Sequence, residues 1–527
     1  MPTALLIALT VAASTPSTTP STTDVLPGVV AAQAELRRGL TTSEALTRRY
    51  LARIEAVDRA GPALHAVIAL NPHALADARK LDAERRAGHV RGPLHGVPIL
   101  LKDNIESDDD TATTAGSLAL KDNVTHRDAP LVRRLTDAGA VILGKTNLSE
   151  WANIRSSHSV SGWSGVGGLV KNPYALDRSA CGSSAGSGAA VAASLAAAAV
   201  GTETDGSVTC PSKVNGLVGL KPTVGLVSRT YVVPISHSQD TPGPMGRSVE
   251  DVAALLTGMA GSDPKDPATA EADAHKIDYL RALSPAALAG KRIGVVREGL
   301  ARETGIGKLY DAALERLRGA GAVLVEIPPP KAQTGEDEHL VLITELKADL
   351  DAYLASIPPT VKTRTLADLI AFDKATPREM ALFAQETFEQ AEATKGLDDP
   401  AYKAARQRSM TAARVAIDDA LAKDKLDAIV LPSGGPAWRV DVPAGDHSSG
   451  SASGLPAVSG YPHLTVPMGQ VRGLPVGLSF WGPQWSEARL LAFGFAYQEQ
   501  GVRFIPPTYA FSVEDAPEVR AAFEPAR

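Results

Sequence analysis

The chain has 527 residues, of which 44% are hydrophobic and 21% are charged, a composition typical of a folded globular protein and not of a fibrous or disordered one. Lys and Arg number 53 against 59 Asp and Glu, and no basic run could follow a phosphate backbone, so nucleic acid is not expected as a partner. Cys181 and Cys210 lack the spacing and His neighbours of a zinc site, so no metal is expected.

An apolar run over residues 4–13 and a Ser/Thr/Pro-rich stretch over residues 14–23 open the chain. The pattern resembles a signal peptide and linker, although no Lys or Arg precedes the apolar run. We expect a signal peptide over 1–13, a linker over 14–23 and one domain over 24–520, in a periplasmic or secreted protein; without export the protein would be cytoplasmic. No other apolar stretch is long enough to span a bilayer, so the mature form is expected to be free of membrane.

The first part of the domain alternates between helical and strand patterns. Apolar residues recur at helical spacing between residues 24 and 80. Residues 96–102 then form a short apolar run closed by Lys102, the pattern of a buried strand that ends in a charge. A helix over 131–138 and strands over 140–143 and 292–296 follow. This alternation predicts an α/β fold with a mixed β-sheet covered by helices, in a single large domain.

The second part begins with a long charged segment, residues 331–425, whose pattern is helical. We interpret it as an outer helical layer or lid, with helices over 345–357 and 377–395. Strand character returns over 426–432, and a last strand pair precedes a terminal helix: residues 464–467, 476–480 and 486–498.

Two turns rich in glycine and serine, residues 181–188 and 201–207, flank an alanine-rich segment that we expect to be a buried helix. Small residues let the backbone approach a ligand, and hydroxyls offer nucleophiles and proton-transfer groups. Either turn, taken alone, is also typical of an ordinary loop without a catalytic role. The presence of Lys102 favours a catalytic role for these turns, because a neutral lysine can activate a serine hydroxyl if burial lowers its pKa.

Two other motif matches point elsewhere. Ser184 lies in a Gly-x-Ser-x-Gly frame, which would make it the nucleophile of a Ser–His–Asp hydrolase, but the preceding segment is polar and irregular where such an elbow needs a buried strand. Residues 139–146 match the phosphate-loop pattern Gly-x4-Gly-Lys-Thr. Their four middle residues, Ala-Val-Ile-Leu, read as a buried strand instead of a turn, so nucleotide binding is disfavoured.

Taken together, the ordered motifs resemble the amidase signature family, and within it the bacterial peptide amidases. The resemblance covers nearly all of the chain after the leader, and the segments that carry it are residues 96–104, 114–117, 144–147, the two Gly/Ser turns, 219–223, 243–245 and 473–477. It implies a catalytic triad of Ser207 as nucleophile, Ser183 as proton relay after a cis peptide bond, and Lys102 as base, with no cofactor.

The resemblance also assigns the turn before the nucleophile. Backbone N–H groups of Thr204, Asp205, Gly206 and Ser207 form the family's oxyanion hole, in which such donors contribute about 2.7–4 kcal/mol each. Asp205 stands where glycine is usual, and the peptide amidases look similar there, so Asp205 is a candidate substrate contact. Trp151 is a second candidate, although it is more often a packing residue, as is Trp163.

The function expected from the resemblance is hydrolysis of carboxamides, at the C-terminus of peptides, to the free acid and ammonia through an acyl-enzyme. The expected partner is a small-molecule or peptide amide, and the expected state is a monomer. The alternatives are a general aliphatic or aryl amidase, an amidotransferase subunit that supplies ammonia to charged tRNA, and a binding protein that retains the triad as a relic. For Cys181 and Cys210, packing as small apolar side chains is favoured over a disulfide.

Overall fold

A mixed sheet of 11 strands forms the centre of the molecule. The computed structural model describes residues 25–298, 305–523 and 525, so the predicted signal peptide and linker lie outside the described residues. The strands are β1 (Val67–Leu70), β2 (Pro98–Lys102), β3 (Val141–Thr146), β4 (Trp163–Ser164), β5 (Gly168–Leu169), β6 (Ala198–Glu203), β7 (Val218–Lys221), β8 (Thr241–Gly246), β9 (Arg292–Val296), β10 (Val323–Ile327), β11 (Ala428–Pro432), β12 (His463–Val471) and β13 (Leu474–Trp481).

Helices cover this sheet. They are α1 (Val29–Arg37), α2 (Ser43–Arg53), α3 (Ala74–Arg86), α4 (Pro130–Asp137), α5 (Ala185–Ala192), α6 (Thr209–Val214), α7 (Val249–Met259), α8 (Ala272–His275), α9 (Ile306–Gly319), α10 (Gly335–Ser356), α11 (Leu366–Ala375), α12 (Glu386–Glu392), α13 (Pro400–Lys423), α14 (Gly454–Ser459), α15 (Glu487–Gln498) and α16 (Pro517–Phe523). In the described part of the chain, none of them is both long and apolar enough to cross a bilayer.

The strand order is β1-β3-β2-β6-β8-β7-β12-β13-β11-β9-β10, and β4 pairs with β5 alone. Strands β3, β2 and β6 are parallel, as are β11, β9 and β10, whereas the strands between these groups pair in antiparallel fashion. The prediction of a single α/β domain with a mixed sheet covered by helices is confirmed. Because parallel strands end at one edge of the sheet, the residues that close β2 and β6 meet there.

Helix α5 packs directly on the strands that carry this edge, β2, β3, β6 and β8. All its residues are buried, which the run of alanine, glycine and serine permits. A Cβ added at Gly186 would lie 2.3 Å from the Asn147 carbonyl oxygen, so no larger residue fits this contact. The small side chains therefore bring the first Gly/Ser turn onto the end of the sheet.

The alanine-rich segment differs from its prediction as a single helix. Helix α5 ends at Ala192 and the chain re-enters the sheet as β6 from Ala198. A segment buried on every side carries no alternation of polar and apolar residues, so periodicity cannot separate helix from strand in it.

The predicted outer layer is confirmed as helical, with α10 packed against α11, α12 and α13. A second hydrophobic cluster joins α10 to α12 with Trp151 and Leu120 of the main body. The predicted helix over 377–395 is wrong in its first half, because only Glu386–Glu392 is helical. The Glu379 carbonyl accepts a hydrogen bond from Arg155 at 2.7 Å and its carboxylate accepts one from the Leu118 N–H at 2.6 Å, and these tertiary contacts replace helical ones.

Candidate active site

Lys102 is the last residue of β2 and is fully buried. Its Nζ lies 2.7 Å from Ser183 Oγ, 2.8 Å from Thr202 Oγ1 and 3.2 Å from the Thr202 carbonyl oxygen. Burial lowers the pKa of the amine to about 7, although the charges of Asp240 and Glu203 oppose this shift. The amine is therefore surrounded by neutral oxygens and is poised to exchange a proton near neutral pH.

The first Gly/Ser turn brings Ser183 to this amine. The Gly182–Ser183 peptide bond is cis, as the resemblance implied, and Ser183 is fully buried. The next residue makes different contacts, because the Ser184 hydroxyl donates to the Thr202 carbonyl at 3.1 Å and accepts from the Thr202 N–H at 3.2 Å. Ser184 thus anchors the turn to β6, and only isolated bridges occur in residues 174–184, where an elbow would need a strand.

The second turn meets the first at the backbone, because the Ser184 N–H donates to the Ser207 carbonyl oxygen at 3.2 Å. Glu203, which closes β6, shapes this turn: its carboxylate accepts from the Val208 and Thr209 N–H groups at 2.7 and 2.8 Å. Ser207 retains 8% exposure, whereas Ser183 and Lys102 retain none. Of these three groups, Ser207 is the one that a substrate can reach.

Cys181 and Cys210 form a disulfide, with Cα atoms 6.1 Å apart. The favoured prediction, packing of two free thiols, is therefore wrong and the alternative is correct. Cys181 precedes Ser183 by two residues and Cys210 follows Ser207 by three, so the bond ties the two turns together. Sequence could not decide this point, because the two turns become neighbours only when β6 lies beside β2.

Asp240 supports the far side of the second turn. Its carboxylate accepts from the Thr204 hydroxyl at 2.6 Å and from the N–H groups of Ile235 and Ser236 at 2.8 and 2.9 Å. Burial raises the pKa of Asp240 to about 6. Asp240 therefore both contacts the second turn and caps the turn at Ile235 and Ser236.

The predicted substrate contact Asp205 is exposed, between half-buried Thr204 and buried Gly206. Glu338, on α10, approaches this turn: Gln239 Nε2 donates to the Glu338 carboxylate at 3.0 Å and to the Thr204 carbonyl at 3.4 Å. Burial, followed by the charge of Asp205, raises the pKa of Glu338 to about 7. Asp205 on the turn and Glu338 on the helical layer are thus neighbouring acidic side chains.

Trp151 is buried and packs edge-on against Phe388 of α12, with ring centroids 5.9 Å apart. Trp151, Ala152 and Asn153 all have positive φ angles, a conformation that costs non-glycine residues roughly 1–2 kcal/mol each. Strain of this kind is typical of functional segments. Trp163 packs instead against Phe383, at 5.4 Å, as expected of a packing residue.

Three further residues of the site were not predicted from the sequence: Asn104, Thr202 and Glu203. Asn104 Nδ2 donates to Thr202 Oγ1 at 3.0 Å, so Thr202 joins Asn104 to Lys102. The sequence does carry a signal for Glu203, which is a polar residue at the end of an apolar strand. The same pattern indicated Lys102.

His237, Glu345 and Asp349 are a group whose ligand atoms lie close enough to share a metal ion. These atoms are already engaged: Asp349 contacts His237 Nδ1 at 2.9 Å, and the Glu345 carboxylate accepts from the Ser238 and Tyr402 hydroxyls at 2.5 and 2.7 Å. The group fastens α10 and α13 to the segment before β8.

The geometry described above brings together two serines on adjoining turns and a buried lysine of lowered pKa. The profile of the Amidase family matches residues 45–491. A native peptide amidase from Stenotrophomonas maltophilia superposes with a TM-score of 0.88 at 51% identity, covering 92% of this chain and 98% of that protein.

Two relatives by sequence are similar over most of their length. A protein of Arabidopsis thaliana described as a probable amidase is 40% identical over 481 residues, which cover 89% of this chain and 88% of the relative. A glutamyl-tRNA(Gln) amidotransferase subunit of Halorhodospira halophila is 38% identical over 482 residues, covering 89% of this chain and 96% of the relative. The chain belongs to the Amidase family and is a hydrolase that acts on amide C–N bonds.

Proposed function

We propose that this enzyme converts peptide C-terminal carboxamides to the free acid and ammonia, with Ser207 as nucleophile, Ser183 as proton relay and Lys102 as base. The observation that carries the proposal is the contact between Lys102 Nζ and Ser183 Oγ, 2.7 Å apart, on a turn whose backbone bonds to Ser207. A serine hydroxyl needs a base to become a nucleophile, and this lysine supplies one near neutral pH.

The reaction proceeds in two halves. Ser207 Oγ attacks the amide carbon while its proton passes to Ser183 Oγ and the Ser183 proton passes to neutral Lys102. The relay then runs in reverse, the amide nitrogen takes a proton, and the C–N bond breaks to release ammonia and leave an ester on Ser207. Water attacks this ester by the same proton route and restores the free hydroxyl.

The carbonyl oxygen becomes negative in each half, and we place it against the backbone N–H groups of Thr204, Asp205, Gly206 and Ser207. The Glu203 carboxylate supports this assignment, because it engages the next two N–H groups along the chain, those of Val208 and Thr209. Donors fixed in this way stabilise the developing charge without reorganising.

The likeness to peptide amidase, 51% identity over nearly the full chain, favours a peptide amide over aliphatic or aryl amides. We assign Trp151 and Asp205 to substrate binding. The likeness to the amidotransferase of Halorhodospira halophila supports a second candidate, a subunit that supplies ammonia to charged tRNA. The purified chain is tested for amidase activity, and its oligomeric state is measured by light scattering. Full activity in a monomer would favour the peptide amidase over the amidotransferase subunit.

Mass spectrometry of a dipeptide amide, a longer peptide amide and the dipeptide acid after incubation tests the substrate. Both amides should change only by conversion of the terminal carboxamide to an acid, and the dipeptide acid should stay intact. Internal fragments, or turnover of simple aliphatic or aryl amides alone, would contradict the peptide-amide assignment and leave the triad in place.

We also propose that the enzyme is exported and cleaved after Ala13, on the strength of the apolar run and the linker that follows it. N-terminal sequencing of protein from the periplasm or medium should return Ser14 as the first residue. Cytosolic protein that still begins at Met1 would count against export.

A further inference from the structure

The Cys181–Cys210 disulfide closes a loop of the chain that contains the two serines of the site, helix α5 and strand β6. Its Cα atoms lie 6.1 Å apart, and the two residues are separated by 29 positions in the sequence. Cys181 lies just before Ser183, and Cys210 follows Ser207 in the first turn of α6. Each half of the disulfide is therefore next to a serine of the proposed triad.

The hydrogen bonds that join the two turns are long. The Ser184 N–H donates to the Ser207 carbonyl at 3.2 Å. Asn215 Nδ2, just after α6, donates to the Ala180 carbonyl at 3.2 Å. Both distances lie at the long end of the range for N–H···O bonds, where the attraction is weaker. The disulfide is therefore the strongest of these links.

The backbone at Cys181 needs support of this kind. Its φ angle is +57°, in the left-handed region that residues other than glycine rarely adopt. Such a conformation persists only when surrounding contacts hold it. The Cys181 N–H donates to Ser179 Oγ at 3.0 Å, and the disulfide holds the side chain of the same residue. Loss of the disulfide would thus free the segment that leads to Ser183.

The packing beneath the turns does not depend on the disulfide. Helix α5 is buried along its whole length and packs on the central strands of the sheet. It also packs closely on α6, because a Cβ added at Gly188 would lie 3.1 Å from Pro211 Cβ. Breaking the disulfide should therefore loosen the two turns and leave the fold intact.

A small dithiol can reduce this bond from the side of Cys210, which is half-buried, whereas Cys181 retains only 5% exposure. A thiolate of the reagent attacks Cys210 Sγ, the S–S bond breaks, and the electron pair leaves on Cys181 Sγ, which takes a proton. The second thiol of the reagent then closes on the first and releases Cys210 as a thiol. The protein gains two electrons and two protons, and the reagent becomes a cyclic disulfide. The chain holds no third cysteine that could exchange with this pair.

We infer that the Cys181–Cys210 disulfide is a positioning element of the active site, which holds the Ser183 turn against Ser207, and that its reduction converts the enzyme to a less active form. The inference rests on the proposed roles of Ser207, Ser183 and Lys102. The proton must cross from Ser207 on one turn to Ser183 on the other, and a displacement of about 1 Å at a reacting group can cost about 10²-fold in rate. Oxidation completes the site, so the chain is less active in a reducing compartment.

Reduction of the folded enzyme tests this inference. The wild type is assayed before and after treatment with dithiothreitol, and a thiol titration confirms that the disulfide has opened. Reduction should lower kcat for a peptide amide at least tenfold, and should slow the labelling of Ser207 by a fluorophosphonate by a similar factor. KM should stay within threefold, because the turns carry the reacting groups and the fold around them is retained. Reoxidation should restore both rates.

Two variants provide the controls. The double variant Cys181→Ser, Cys210→Ser should show the kcat of the reduced wild type, with or without dithiothreitol. Val214→Ala is the matched packing control, because Val214 is buried in the same apolar cluster as the two cysteines and its replacement leaves the disulfide in place. This variant should keep kcat within threefold of the wild type and should still lose activity on reduction.

Circular dichroism and thermal unfolding show whether the reduced enzyme remains folded at the assay temperature. The inference is overturned if the reduced wild type keeps its kcat and labelling rate, if KM alone rises, or if activity falls only as the protein unfolds. If the double variant does not fold, reduction of the folded wild type still gives the answer.

The proposed function can fail separately. If peptide amides are not substrates, kcat is measured on whichever primary amide is hydrolysed, and the labelling rate of Ser207 needs no substrate. A tenfold fall in both rates on reduction would uphold the positioning role while the peptide specificity is abandoned. Oxidised wild type that is never labelled at Ser207 would count against the triad and against this inference together.

Discussion

Two fully buried lysines, Lys102 and Lys145, lie on the neighbouring parallel strands β2 and β3, one step apart in register. Lys145 donates to the Ile105 carbonyl at 2.6 Å and to the Thr113 hydroxyl at 2.9 Å. Burial lowers the pKa of Lys145, and opposing charges include those of Asp103, Asp109, Glu106 and Asp128. For Lys102, the charges that oppose the lowering of its pKa by burial are those of Asp240 and Glu203.

The difference shows that burial by itself does not make a lysine a base. Lys145 lies among carboxylates and binds the loop after β2, and burial raises the pKa of its neighbour Asp103 to about 7. Lys102 also donates to hydroxyls and a carbonyl, but one of its partners is Ser183, on the turn that meets Ser207. These surroundings support the proposed role of Lys102 as the base and indicate a structural role for Lys145.

Replacing each lysine by methionine tests this contrast most strongly. Lys102→Met should lower kcat/KM for a peptide amide at least 10⁴-fold, the order of loss typical of triad members. It should not lower the thermal unfolding temperature much, because a buried amine is removed along with its desolvation cost. Lys145→Met leaves the acidic neighbours without a cation and should lower the unfolding temperature by several degrees, while activity per folded molecule stays within tenfold. If Lys145→Met lost activity and Lys102→Met lost stability instead, the catalytic role would belong to Lys145 and the structural role to Lys102.

Removing the two serine hydroxyls of the proposed triad sharpens the contrast. Ser207→Ala should abolish both turnover and labelling by a fluorophosphonate, since no nucleophile remains. Ser183→Ala should keep a small residual rate, because water can partly replace a relay. Rates and labelling are measured for both variants and for the wild type. Equal residual activity in the two variants would contradict the separate roles of nucleophile and relay. Wild-type protein that resists the label would support the alternative of a binding protein.

The smallest expected effect is on the pH profile. Lys102 must be neutral to accept a proton, and its folded-state pKa of about 7 lies well below the ordinary value. Activity should therefore rise about tenfold per pH unit below pH 7 and level off above it. The Lys145→Met profile should overlie that of the wild type. A wild-type rate that falls as pH rises from 6 to 8 would exclude Lys102 as the base.

Much of the fold could be predicted where the sequence carries a pattern. The strand ending at Lys102, the strand β9 and the helix α15 agree with their predictions closely, because each shows an apolar run or a helical period with clear ends. β6 was missed, since its alanines and glycine lack both alternation and branched side chains. The first half of the helix predicted over 377–395 does not form, because Glu379 makes tertiary contacts there instead of helical ones.

The sequence by itself identified the residues that we propose carry the chemistry: a lysine that closes an apolar strand, two hydroxyl-bearing turns, and family motifs in the expected order. Only the tertiary structure decided how they meet. The disulfide between Cys181 and Cys210 and the shared bonds of Thr202 each join residues that are distant along the chain. Local patterns record propensity and burial, whereas these contacts depend on strand order and register, which no single segment encodes.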